Sequence, residues 1–245
     1  MTYGVVTICR NAAETVQRCI ESVLAQSPPP AQYVVVDGGS TDGTLDKVGE
    51  MAEGAPGSCE FSLVHQATPP DGVAGIPNAW NLGLRDLHAD VVVLLNADDW
   101  LEPDAAGTVL AEFAAAPDAD LMISPIRIVT GEGERILHPR PFWLFPFLMP
   151  VMHPGCFVRQ RAYDRVGAFD ERYRISADYD FMYRCRRAGC VFRSYAGPLV
   201  SMQWGGMARQ NLPTARRETL AIARRHCPIP GLPWLAYLLR TLMNR

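Results

Sequence analysis

No apolar run in this 245-residue chain reaches the roughly 18–20 residues that span a bilayer, so no transmembrane helix is expected. The segment 1–8 lacks the architecture of a signal peptide. A basic excess is also missing. Lys and Arg number 23 against 26 Asp and Glu, a net charge of −3, and no RNA- or DNA-binding motif appears; a nucleic-acid partner is not expected. No Cys-x-x-Cys occurs. The seven cysteines (Cys9, Cys19, Cys59, Cys156, Cys185, Cys190 and Cys227) are odd in number and widely spaced, which fits reduced thiols better than a disulfide framework or a zinc site. Glycine is absent directly after the first apolar run, where Cys9-Arg10-Asn11-Ala12-Ala13 stands. That argues against the G-x-G-x-x-G turn of a dinucleotide oxidoreductase, and against a nucleotidyltransferase with a Gly-rich loop for a triphosphate.

What is present is an alternation of strands and helices. Short apolar runs at 3–8, 33–37, 60–65 and 90–96 read as buried strands. Helical spacing is expected over 12–26, 44–53 and from Pro103 to about 116. Alternation of this kind implies right-handed βαβ units and a mostly parallel sheet flanked by helices. Ligands of such sheets bind beyond the carboxyl ends of the strands, and polar residues cluster at those ends here: 7–11, 37–42 and 96–99. The second half is less regular. Strands are expected at 121–129, 155–159, 191–195 and 199–204, and helices at 178–188 and 213–226. No linker divides the chain, so one α/β domain is expected over 1–227, with a nucleotide half to about 105, an acceptor half after it, and a helical tail over 228–245.

Two motifs carry chemistry. In Val34-Val-Val-Asp37-Gly38-Gly39-Ser40-Thr41-Asp42-Gly43-Thr44 a strand ends in a carboxylate and a Gly-rich turn follows. Helix capping accounts for Asp42 and Thr44. It accounts less well for Asp37, which is placed to meet a base or ribose. In Leu94-Leu-Asn96-Ala97-Asp98-Asp99-Trp100 two adjacent carboxylates follow a buried strand. They repel unless a hard cation, Mn²⁺ or Mg²⁺, sits between them and a diphosphate; a solvated acidic turn is the other reading.

Together with Thr7-Ile-Cys-Arg10-Asn11 and Asp71-Gly72 leading to Asn78-Ala79-Trp80-Asn81-Leu82-Gly83, these segments resemble the family 2 glycosyltransferases of the GT-A fold over about residues 1–205. The resemblance implies inverting, metal-dependent transfer of a single sugar from a nucleotide-diphosphate sugar, with uridine the usual base, to a hydroxyl acceptor. Thr7 and Asp37 would contact the nucleoside, Asp98 the ribose or sugar, and Asp99 the metal. Arg10, Asn11, Gly39, Ser40, Asp71, Asn81 and Asn96 would line the same donor pocket. The 71–83 segment departs from the family, which often shows Asp-Ala-Met-Asn-Lys-Gly. The Q-x-x-R-W signature of processive synthases is missing. A lipid-linked or growing saccharide in surface-polysaccharide assembly, at the cytoplasmic face of a membrane, is the setting the resemblance suggests.

The acceptor hydroxyl needs a carboxylate base. Ile175-Ser176-Ala177-Asp178-Tyr179-Asp180 matches the family's helix start with Asp178 as base and Ala177 replacing a Glu. Asp180 is the second candidate, and helix capping competes for both. His153 and the 204–207 segment resemble a nearby histidine and a glycine-containing segment of relatives; a structural histidine and an ordinary loop are the other readings. The stretch Pro141 to Met152 holds Phe142, Trp143, Phe145 and Phe147 among three prolines. It suits membrane or lipid contact, or burial against the sheet. The tail from Leu232 to Arg245 suits a membrane surface, the domain itself or a second subunit in a homodimer.

Overall fold

Valine-rich runs with both faces covered are the signature of parallel strands, and the chain builds its centre from them. The computed structural model describes residues 1–67, 75–203 and 211–243. Strand β1 (Tyr3–Cys9) is buried along its whole length, with β2 (Gln32–Asp37) and β4 (Val91–Asn96) on either side. Strand β3 (Glu60–His65) completes the edge with an exposed and half-buried pattern. The seven-stranded sheet runs β10-β6-β9-β4-β1-β2-β3, where β6 is Leu121–Ile123, β9 Cys156–Arg159 and β10 Phe192–Ser194. Strands β1 to β4 are mutually parallel; β9 runs antiparallel between β4 and β6. A second sheet, β5-β11-β7-β8, joins Asp99–Leu101, Val200–Gln203, Ile126–Thr130 and Gly133–Leu137. One apolar cluster lies on each face of the main sheet.

Helices cover both faces: α1 (Val16–Leu24), α2 (Thr44–Glu53), α3 (Ile76–Arg85), α4 (Ala105–Ala115), α5 (Gln160–Val166) and α6 (Ala177–Arg187). Two more close the chain, α7 (Leu212–His226) on α6 and α8 (Leu232–Met243) on α7. The α/β architecture, the mostly parallel sheet and the helical tail match the sequence expectation. The stretch 121–129 does not form one strand. Ser124-Pro125 interrupts it, because proline has no N–H to give a ladder, and its two halves enter different sheets. Helix α1 also starts four residues late, since Ala12 to Thr15 form a turn on the Ala12 carbonyl.

Helix α3 packs on β1 and β2 at one glycine. A Cβ at Gly83 would stand 2.3 Å from Val6 Cγ1 and 3.2 Å from Val36 Cγ2. Valine is stiff at this point, so relief requires the helix to move. Gly83→Ala should lower stability by about 1–3 kcal/mol in urea unfolding; an unchanged midpoint would contradict the packing.

Candidate active site

The register sets Cys9 beside Asp37 and Ile8 beside Asn96, so the loops after β1, β2 and β4 leave the sheet together. The first two loops are stitched to each other. Asn11 N–H donates to Ser40 Oγ, Ala12 N–H to Thr44 Oγ1, Ala13 N–H to Asp42 Oδ2, and Thr41 N–H to Asn11 Oδ1, at 2.8–3.1 Å. Asn11 takes a positive φ of 49° to do so, a conformation asparagine tolerates. Thr44 is fully buried and accepts across the loops, and Asp42 braces it. Asp42 and Thr44 are therefore joinery between the loops as well as the start of α2.

Asp37 is buried at the end of β2, and its Oδ2 accepts from Gly39 N–H at 2.9 Å and Ser40 N–H at 3.1 Å. Gly39 holds φ 84°, which a side chain would resist. His65, at the end of β3 and unnoticed in the sequence, stands 3.9 Å from the same oxygen. Arg10 is exposed at the rim. Thr7, expected to contact the nucleoside, is fully buried, its hydroxyl 3.0 Å from Tyr33 Oη and 3.7 Å from Cys19 Sγ. β1 turns that side chain toward α1, where it packs in the core.

Asp98 and Asp99 leave β4 through a tight turn. Asp99 Oδ2 accepts from Asn96 N–H at 3.2 Å. Its Oδ1 is buried without a partner, as is Asn96 Oδ1. Burial, then the charge of Asp98, pushes the Asp99 carboxyl well above its ordinary range. Asp98 is half-buried and also raised by burial, with Arg18 pulling the other way. Arg18, from α1, stacks 3.6 Å over the Trp100 ring and donates to Gln203 at 3.1 Å. Nothing in its local sequence marks it, because its partners lie far along the chain. An orphaned carboxylate oxygen beside a second carboxylate fits a hard cation. Among the described residues no group of three His, Cys, Asp or Glu gathers. A cation here would take its remaining ligands from a diphosphate and water, the usual arrangement for Mg²⁺.

Asp178 is half-buried in the first turn of α6, and its Oδ1 accepts from Tyr179 N–H at 2.8 Å. A helix start alone would lower its proton affinity. Burial outweighs that and pushes it up to about 6. Asp180, two residues on, is fully buried and engaged by Arg184 at 2.7 Å and His226 at 2.9 Å. Burial would raise it, but those partners hold it below the ordinary range. Asp180 is thus held in ion pairs, whereas Asp178 has no cationic partner among the described residues.

Glu218 of α7, which the sequence reading missed, aims its carboxylate at the loop before Asp178. It accepts from Arg174, Ile175 and Ser176 N–H at 2.8–2.9 Å. Its charge also adds to the upward push on Asp178. We expect Glu218→Gln to cut the rate by up to about 10²-fold through misplacement of Asp178, and to move the acid limb of the pH–rate profile downward. A slower enzyme with an unmoved limb would leave Glu218 a purely structural role.

Asn81, expected in the donor pocket, is engaged by the 169–171 loop. Its amide brackets the Phe169 backbone, donating to the carbonyl and accepting from the N–H at 2.9 Å each, and it also donates to Glu171. Those bonds tie α3 to the 169–171 loop. His153 sits in a one-turn 3₁₀ helix (His153–Gly155) against β4 and β11, its ring 4.8 Å from Trp80. Burial lowers it to about 3, so it is neutral, and its Nε2 is buried without a partner. Asp71 and the 204–207 segment lie outside the described residues.

The profile of the family described as Glycosyl transferase family 2 matches residues 4–188, and the chain belongs to that family. It is a glycosyltransferase. It is 27% identical over 209 residues to a PGL/p-HBAD biosynthesis glycosyltransferase of Mycobacterium bovis, covering 84% of this chain and 78% of that protein. Among solved structures it is similar to S. aureus TarS in complex with UDP-GlcNAc, at TM-score 0.71 and 15% identity over 97% of this chain and 70% of that one. It is also similar to the mannosyltransferase PcManGT of Pyrobaculum calidifontis in complex with GDP-Man and Mn²⁺. That match has TM-score 0.67 and 20% identity, covering 98% of this chain and 69% of that one. At these identities the structures establish the fold.

Proposed function

We propose that the protein transfers one sugar, with inversion, from a UDP-sugar to a hydroxyl of a saccharide or lipid-linked saccharide, in surface-polysaccharide assembly. The observation that carries this reading is the division of labour among carboxylates. Asp99 offers an unpartnered oxygen at a strand end, Asp178 is a carboxyl raised to about 6 by burial, and Asp180 is locked in ion pairs. The named ligands of the similar structures, UDP-GlcNAc in one and GDP-Man with Mn²⁺ in the other, support a nucleotide-sugar donor and a divalent ion.

In this reading Asp37 and the Gly39-Ser40 turn receive the nucleoside, and Asn11, Arg10 and Asn96 border it. Asp98 faces the ribose or sugar. Asp99 would hold Mn²⁺ or Mg²⁺, and the ion would supply Lewis-acid neutralisation of the departing diphosphate. Asp178 accepts the acceptor's hydroxyl proton as that oxygen attacks the anomeric carbon. The bond from the anomeric carbon to the diphosphate oxygen breaks as the new glycosidic bond forms, and the nucleoside diphosphate leaves with the electron pair.

Release of UDP, GDP or TDP from the matching sugars, with Mn²⁺ and water as a surrogate acceptor, tests the reading. The anomeric configuration of the freed sugar is read by proton NMR before it mutarotates. Inverted sugar from a uridine donor is expected. Retained configuration, or no turnover of any donor, would overturn it.

A further inference from the structure

The two apolar stretches noted in the sequence meet in space. Phe147 shares a slot with Pro233 and Tyr237 of α8 and with Arg216 of α7. Trp143 stands edge-on to Phe147 at 6.3 Å and is itself 66% exposed. On α8, Pro233 and Ala236 face inward, while Trp234, Leu235, Leu238, Leu239 and Leu242 are 47–64% exposed. Their spacing of one, three, one and three residues puts all five on one helical face. Ile229 extends the same stretch, also largely exposed. Five large apolar side chains left in water on a twelve-residue helix are not core residues; they need a cover.

Charge says what the cover is. Residues 219–245 contain four arginines and no aspartate or glutamate, whereas residues 1–218 hold 19 basic against 26 acidic side chains. Of the four, Arg225 pairs with Asp170 at 3.2 Å, while Arg224 lies against the apolar face. Arg224 leans 5.2 Å over the Trp234 ring, and Arg216 lines the slot. Among the described residues Arg216, Arg217 and Arg224 have no ion-pair partner. A second copy docking face to face would bring these like charges together. A helix of twelve residues is too short to cross a bilayer, but an apolar face flanked by arginines suits the headgroup boundary of an anionic one.

We propose that α8, with Trp143 beside it, seats the protein on an anionic lipid surface. The proposal stands apart from the sugar-transfer reading, because its test needs no catalysis. The protein is sedimented with phosphatidylcholine vesicles, with and without about 30 mol% phosphatidylglycerol, and its oligomeric state is measured in solution. The full chain should be monomeric, should pellet with the anionic vesicles, and should pellet far less with the neutral ones. Combining Leu238→Glu with Leu239→Glu should weaken binding at least about tenfold. Trp143→Ala, on a separate loop, should weaken it a few-fold, so the result does not depend on α8 surviving its own substitutions. Melting by circular dichroism should be unchanged in both. Absence of binding, variants that bind like the parent, or equal binding to neutral vesicles would overturn the proposal. So would self-association abolished by the double variant, which would make the cover a second copy.

Discussion

Replacing Asp178 with Asn should lower transfer by roughly 10²–10⁴-fold, the usual contribution of a positioned base, and leave donor binding intact. The amide keeps the shape and can still accept from Tyr179 N–H, so the helix start survives. The parent enzyme should lose activity as pH falls through about 6, because the carboxyl holds its proton below that value and cannot take another. The limb vanishes in the residual activity of the variant. Stability moves the other way. A carboxyl whose folded value is raised favours folding most at low pH, and that contribution is lost as pH rises through about 6. At pH 8 the Asn variant should therefore melt no lower than the parent. Near-parental transfer by the variant would transfer the base role to another group.

Asp99→Asn should abolish the metal-dependent part of donor binding. A ligand that binds only the folded state raises the melting temperature by mass action. Mn²⁺ with UDP should therefore raise that of the parent, by about 2.7 kcal/mol of stabilisation at a hundredfold excess over Kd, and the variant should gain little. Without metal the order reverses. Burial and Asp98 hold the Asp99 carboxyl well above its ordinary range, so ionisation at neutral pH costs stability. The amide carries no such cost and can keep the bond from Asn96 N–H. The metal-free variant should thus melt at or above the parent. A variant that still gained the full Mn²⁺ increment would remove Asp99 from the metal.

The sequence alone was enough for the strands that matter. Val-rich runs ending in Asp37 and Asn96 needed no tertiary knowledge to be read as parallel strands with a site at their carboxyl ends, because burial on both faces writes itself as an unbroken apolar run. It was also enough to single out Asp98-Asp99, since adjacent carboxylates after a buried strand are costly without a purpose. Only the tertiary structure separated Asp178 from Asp180. Both sit in the same helical turn; the difference lies in Arg184 and in His226, 46 residues away. The same holds for Glu218, whose three backbone bonds cross more than forty residues. Thr7 and Asn81 looked like pocket residues because they sit in family-like motifs. The fold spends one on Tyr33 and the other on the Phe169 backbone. Local spacing records which face a side chain takes. It does not record which distant donor will already have claimed it.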